Sequence, residues 1–356
     1  MSRCGVVAAV AVLAAGIAGC GVDEAPAGSV VVPLTYLAPG AAGGALGEPR
    51  LAARVTVAGA VLHVLVDTGS TGLKVLASKV TGAVRKTGVR GTTSYLSGLR
   101  IDGDEARASV RLGAASADDV TVLLVDRLSC TPDQPRCEAA GGATPEEFGA
   151  VFDGIMGIGM ALRSDGETGC CANPMSALTD NGSFVVHFDP VVPELWLNPP
   201  EDTIARFRTA SLRVTGANGV QTYDPAPMRA CVTVSDVIRD FCAPVVFDTG
   251  TPDLVLLAPK GALAPPRKLL DRDLLPTGGK RVTFAVADIW TWSFTGAPLG
   301  EGDLDDAMAV LGNLTSPPVV EIMPEADPLV LVGLPGFTSA DVLYDLGGAR
   351  IGLAER

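Results

Sequence analysis

Apolar residues along this chain fall in short runs or alternate with polar ones, the two-residue period of β-strands. Ala53-Arg54-Val55-Thr56-Val57, the step Ala58-Gly59-Ala60 and the run Val61 to Val66 predict a hairpin that ends at Asp67. Gly91 to Gly113 alternates well enough for a second hairpin, with Tyr95 before a Ser97-Gly98 turn. Phe152-Asp153-Gly154-Ile155-Met156-Gly157-Ile158 reads as a short buried strand whose glycine must pass close to another backbone. Leu329-Val330-Leu331-Val332-Gly333-Leu334 repeats that pattern near the end, and Val30 to Leu37 reads as a first strand. The chain is expected to be all-β.

The pattern also repeats a site. The run ending at Val66 delivers Asp67 into Thr68-Gly69-Ser70, and Val245-Val246-Phe247 delivers Asp248 into Thr249-Gly250-Thr251, 181 residues later. One strand ending in Asp-Thr-Gly is ordinarily a turn. Two copies, each followed at a similar distance by an apolar-apolar-Gly strand, point to duplicated chemistry on duplicated architecture. Two carboxyls held within about 3 Å cannot both ionise cheaply, so they share one proton and their titrations separate. The ionised Asp then takes a proton from a water while the protonated one donates to a substrate carbonyl. Each Gly lets the backbone turn beneath its carboxylate, and each hydroxyl orients a carboxylate oxygen.

Composition adds location. Arg3 followed by the apolar run Val6 to Ile17 reads as an export signal, too short to span a bilayer comfortably. Ile17-Ala18-Gly19-Cys20 resembles a bacterial lipobox, which assigns Cys20 to lipidation and residues 1–20 to a lipoprotein signal peptide. Gly21 after the lipidated Cys, in place of Asp, implies export to the outer membrane, so the expected place is the cell envelope, on its periplasmic or surface face. Residues 21–50, rich in Ala, Gly and Pro, suit a flexible tether. Residues 51–198 and 199–356 would then form two lobes, one Asp-Thr-Gly in each, together about 300 residues. Hydrophobic residues make up 47% and charged residues 19%, so these lobes are not disordered. The net charge of −13 argues against nucleic acid and against anionic membrane surfaces as partners.

These motifs together resemble the pepsin-like aspartic peptidases. Asp67-Thr68-Gly69-Ser70, Phe152 to Gly157, and the run from Leu331-Val332-Gly333 through Val342-Leu343-Tyr344-Asp345 to Arg350-Ile351-Gly352-Leu353-Ala354 carry the likeness, over about Ala53 to Arg356. Asp67 to Ser78 looks, more narrowly, like a family of proteobacterial lipoproteins of unestablished function. The resemblance implies a bilobal fold with an active-site cleft between two β-rich lobes. It implies a catalytic dyad of Asp67 and Asp248, with Ser70 and Thr251 on their outer oxygens, and Thr68 and Thr249 hydrogen-bonded between the lobes beneath. The substrate would be a polypeptide bound extended, as an added strand, with Tyr95 the flap candidate. There are departures. Lys74 stands where pepsins have a Trp that supports the flap tyrosine, the flap lacks Tyr-Gly-Thr-Gly, and Pro252 follows the second motif where Ser or Thr is usual. Arg50 is the one basic residue in 21–50, so no basic propeptide locks an acidic cleft.

Apart from Cys4 and Cys20, the cysteines are Cys130, Cys137, Cys170, Cys171, Cys231 and Cys242, which fit disulfides in an oxidising compartment. Cys231 and Cys242 are expected to close a hairpin before the second Asp. For the rest, Cys130–Cys137 with a vicinal Cys170–Cys171 bond and a crosswise linkage of the two loops both remain open. With no Cys-x-x-Cys pair and only His63 and His187, no metal and no cofactor are expected. His63 reads as a sheet residue, and Asp102, Asp104, Glu105, Asp118, Asp119, Asp303, Asp305 and Asp306 as solvated loop acids. The chain thus reads as a monomeric, lipid-anchored aspartic endopeptidase. The alternatives are a pepsin-fold module that binds a peptide or envelope partner without turnover, and a structural lipoprotein.

Overall fold

Alternation in sequence becomes alternation in burial. In the strand Ala60–Asp67 the side chains of Leu62, Val64 and Val66 point inward, and in Arg281–Val286 those of Val282, Phe284 and Val286 do. The computed structural model describes residues 25–37, 49–135, 137, 139, 148, 151–160, 170–217, 220–263, 267–269, 272–275, 277–296 and 318–356. The signal segment, Cys4, Cys20 and the acids at 303, 305 and 306 lie outside them.

The first strands are β1 (Val30–Pro33), β2 (Thr35–Leu37), β3 (Arg50–Val57), β4 (Ala60–Asp67), β5 (Thr71–Leu76), β6 (Arg85–Ser94), β7 (Leu99–Leu112), β8 (Ala115–Cys130) and β9 (Gly154–Ile158). Then come β10 (Ser183–His187), β11 (Glu194–Leu197), β12 (Arg208–Ser211), β13 (Arg213–Ala217) and β14 (Val220–Asp224). The last are β15 (Arg229–Val234), β16 (Ile238–Phe247), β17 (Leu254–Ala258), β18 (Arg267–Leu269), β19 (Arg272–Leu274), β20 (Arg281–Val286), β21 (Trp290–Thr295), β22 (Val320–Pro324), β23 (Leu329–Val332), β24 (Ala340–Asp345) and β25 (Arg350–Glu355).

Eight strands, ordered β2-β3-β4-β9-β5-β8-β7-β6, build the N-terminal lobe, and nine, ordered β18-β19-β22-β17-β23-β16-β15-β20-β21, build the C-terminal lobe. A six-stranded sheet, β1-β11-β10-β24-β25-β12, takes strands from both halves of the chain and joins the lobes. The fold is all-β and bilobal. Val30 to Leu37, expected as a first strand within the Ala/Gly/Pro-rich segment, forms two: Val30–Pro33 pairs with β11 and Thr35–Leu37 with β3. Its β-branched and aromatic residues favour a strand over a linker.

The two lobes repeat one device. β9 lies between β4, parallel to it with Asp67 opposite Gly157, and β5, antiparallel with Gly72 opposite Gly157. β23 lies likewise between β16, parallel with Phe247 opposite Val332, and β17, antiparallel with Leu254 opposite Val332. Strands β5, β9, β17 and β23 are buried throughout, because covered sheets of this kind leave neither face to water. A Cβ on Gly157 would sit 2.8 Å from the Thr71 backbone nitrogen, and one on Gly333 2.3 Å from the Thr251 carbonyl oxygen. The expected close backbone approach is thus present in both lobes.

One expectation is corrected. Asp102, Asp104 and Glu105 lie in β7, and Asp118 and Asp119 in β8, not in loops. Three of these acids meet cations: Lys86 and Arg90 reach Asp104, Arg85 reaches Asp119 and Arg100 reaches Asp102. Strands with solvated faces accommodate such pairs, across strands from Arg85, Lys86 and Arg90 or along β7 from Arg100, so acidity alone did not mark a loop.

Candidate active site

Each acid sits where a buried strand ends. Asp67 closes β4, and Asp248 follows β16 with its N–H donated to the Val332 carbonyl at 2.9 Å. The two turns are hydrogen-bonded alike. Gly69 N–H reaches Asp67 Oδ1 at 2.8 Å and Ser70 Oγ reaches Oδ2 at 2.5 Å. Gly250 N–H reaches Asp248 Oδ1 at 2.7 Å and Thr251 Oγ1 reaches Oδ2 at 2.6 Å.

Beneath them the lobes interlock. Thr68 Oγ1 donates to the Phe247 carbonyl at 2.8 Å and accepts from Thr249 N–H at 2.9 Å. Thr249 Oγ1 donates to the Val66 carbonyl at 2.8 Å and accepts from Thr68 N–H at 3.1 Å. All of these groups are buried, so each bond satisfies a donor and an acceptor that water cannot reach. The glycines do more than permit a turn. A Cβ on Gly69 would lie 2.4 Å from Asp248 Cγ, and one on Gly250 2.9 Å from Asp67 Oδ1. Each glycine makes room for the opposite carboxyl, which is what allows the pair to meet.

The two carboxyls lie within hydrogen-bonding reach of each other. Burial, then the charge of Asp67, push the Asp248 carboxyl up from 3.8 to about 7, against the pull of Thr251 and Gly250. A pair with one carboxyl protonated near neutral pH offers both a proton donor and a proton acceptor at one place.

Two neighbours carry no signal in the motif itself. Tyr344 on β24 donates to the Phe247 carbonyl at 2.9 Å, tying the shared sheet to the second Asp turn, and burial raises its phenol above the ordinary value. Lys74 on β5 is 1% exposed. Its Nζ donates to the Thr71 carbonyl at 2.6 Å, makes a long 3.5 Å contact with Ser70 Oγ, and lies 5.7 Å from the centre of the Tyr95 ring. Burial pushes the Lys74 ammonium down to about 8, with the charge of Asp67 acting the other way.

Tyr95 stands at the tip of the β6–β7 hairpin, where Gly98 N–H closes the turn on the Tyr95 carbonyl at 2.9 Å. The next residue, Leu96, packs on Val246, Val255, Leu257, Leu329 and Leu331 of the C-terminal lobe, so the tip reaches across. Thr131 N–H to the Gly98 carbonyl and Gln134 Nε2 to the Leu96 carbonyl, at 2.8 and 2.7 Å, brace it from the loop closed by Cys130–Cys137. Cys170 pairs with Cys171 and Cys231 with Cys242, so the two loops are not crosswise linked. His63 is held in β4, its N–H on Asp153 Oδ2 at 2.9 Å.

The whole architecture has a solved counterpart. The aspartic proteinase from Irpex lacteus superposes with a TM-score of 0.58 over 92% of this chain and 97% of its own, at 16% identity. This is the pepsin-like fold. A family model described as "Protein of unknown function (DUF3443)" matches residues 52–180, the stretch from within β3 through the first Asp turn to just past the short helix Met175–Leu178. No curated protein matches by sequence. Within this pepsin-like frame, Asp67 and Asp248 face each other where the two lobes meet.

Proposed function

We propose that this chain is an aspartic endopeptidase that hydrolyses peptide bonds with Asp67, Asp248 and a water activated between them. The observation that supports it is the pair itself: two carboxyls in mutual reach, matched hydroxyl and amide donors on each, and Asp248 held protonated to about pH 7. One carboxylate takes the water proton as the water attacks the scissile carbonyl, and the protonated partner donates to the carbonyl oxygen. The proton positions then reverse as the leaving amine departs. A polypeptide would lie extended beneath the β6–β7 hairpin, bonded through its backbone, with Tyr95 against it.

The reading continues to the N-terminus. Cys20, acylated, would anchor a monomer to the cell envelope, at the outer membrane, and the three disulfides suit that oxidising side. Among the described residues no helix is long and apolar enough to cross a membrane.

The test incubates the purified full chain with an unfolded protein from about pH 3 to pH 7, beside Asp67→Asn and Asp248→Asn, with products read by mass spectrometry. Cleavage by the parent and by neither variant is expected. A folded parent that retains peptides intact at every pH would overturn the reading in favour of a binding module.

A further inference from the structure

The two Asp turns are near copies, but the strands that leave them are not. Counted from its Asp, Lys74 in β5 takes the place that Val255 takes in β17, opposite Ile155 and Leu331 of the equivalent inserted strands. The first site therefore has a buried cation where the second has a methyl-bearing side chain. On β8 and β9 the register partners of Lys74 are Leu123 and Ile155, both apolar. Among the described residues, the titratable groups turned toward it are Asp67 at the end of β4 and Tyr95 at the hairpin tip, with Asp248 beyond Asp67. Asp153, just before β9, is engaged by Lys79 and by His63 N–H.

Ser70 Oγ stands between, 3.5 Å from Lys74 Nζ and 2.5 Å from Asp67 Oδ2. An ammonium has only donors, so it can meet Ser70 only at the oxygen lone pairs. That leaves the Ser70 hydrogen to be donated to Asp67 and fixes the chain's direction. We propose that Lys74 is a positioning residue for the dyad: its ammonium, acting through the Ser70 hydroxyl, holds the negative charge on Asp67 and leaves the shared proton on Asp248. The role rests on the peptidase reading for its catalytic consequence. Burial without a carboxylate in direct contact pushes the Lys74 ammonium down to about 8, and near neutral pH, with one proton on the dyad, it is still charged.

The test reads the pair by titration and by rate. In the full chain carrying ¹³C-labelled Asp, assigned with Asp67→Asn and Asp248→Asn, Lys74→Met should raise the lower of the dyad's two midpoints by about one pH unit or more, as expected for losing an opposite charge within ~6 Å. The acid limb of kcat/KM should move up with it. A reciprocal measurement leaves Lys74 in place: with ¹³C-labelled Lys, Asp67→Asn should lower the Lys74 midpoint by a similar amount, and Asp248→Asn by less. Unmoved midpoints overturn the proposal, even if Lys74→Met loses activity at every pH, since a purely structural role would do that. If Lys74→Met does not fold, the reciprocal titration decides alone. If the parent cleaves nothing, the peptidase reading fails while both titrations still decide the role of Lys74.

Discussion

Asp248→Asn should stabilise the fold at pH 8 and leave its stability nearly unchanged at pH 4. The folded carboxyl is held at about 7 against an ordinary 3.8, so between those values the folded chain binds a proton that the unfolded chain has released. Stability from this group is fully present below about pH 4 and is lost as pH rises through 7. A difference of about 3 pH units at 1.36 kcal/mol each gives an upper bound of about 4 kcal/mol. Asp248 keeps some exposure to the cleft and shares its proton with Asp67, so about 2–4 kcal/mol is the expected range. Asn cannot ionise and escapes the loss. At about 2 °C per kcal/mol for a chain of this size, the variant should melt about 4–8 °C higher at pH 8. Thermal unfolding followed by circular dichroism, at intervals from pH 4 to 8, gives both curves. Parallel curves for parent and variant would refute the claim that the fold holds this carboxyl protonated.

Gly69→Ala places a methyl where the Asp248 carboxyl sits, so kcat/KM should fall at least about 100-fold while circular dichroism keeps the β signature. Thr68→Val leaves the buried Thr249 N–H without a partner and the Phe247 carbonyl with Tyr344 alone, and should cost about 1–3 kcal/mol in urea unfolding. Lys74→Met removes a buried ammonium whose penalty exists below about pH 8 and fades as pH rises toward 10.5, so the variant should be more stable by about 1–3 kcal/mol at pH 6, with the gain shrinking above pH 8. A urea midpoint for Lys74→Met that stays at or below the parent's at pH 6 would contradict the last of these.

Much of the site was legible because its chemistry is local. A buried strand must end where its polar cargo begins, so Val61 to Val66 before Asp67 and Val245 to Phe247 before Asp248 announced both acids. The inserted strands β9 and β23 were legible for the same reason, each an apolar run interrupted by a glycine. Other features depend on who lies opposite, which one strand's pattern does not encode. Nothing near Lys74 in sequence says that β8 and β9 will flank it, and its approach to Tyr95 was implied only by the pepsin resemblance. The glycines show the same limit. Gly69 and Gly250 were assigned to turning the backbone, but the tightest neighbour of each missing Cβ is the carboxyl of the other lobe. Val30 to Leu37 was legible as a strand, but its division between two partners, β11 for Val30–Pro33 and β3 for Thr35–Leu37, was not.

The two Asp turns form a nearly symmetric frame, and a symmetric frame assigns a shared proton to neither carboxyl. Up to Ser70 and Thr251 the two turns match residue for residue in their hydrogen bonds, and that match by itself favours neither Asp as proton holder. The break comes one strand further on, at Lys74 and Val255. The hairpin tip touches both: Tyr95 lies over Lys74, and Leu96 packs on the cluster that contains Val255. A substrate that enters by displacing this tip would therefore alter the surroundings of the ammonium and of the apolar cluster together. Lys74, one of the departures from the pepsin pattern, thus stands between the hairpin tip and the Ser70–Asp67 hydrogen bond. An uncharged side chain at that position could pack against Tyr95 but could not bias the dyad, and that is the physical difference a lysine makes there.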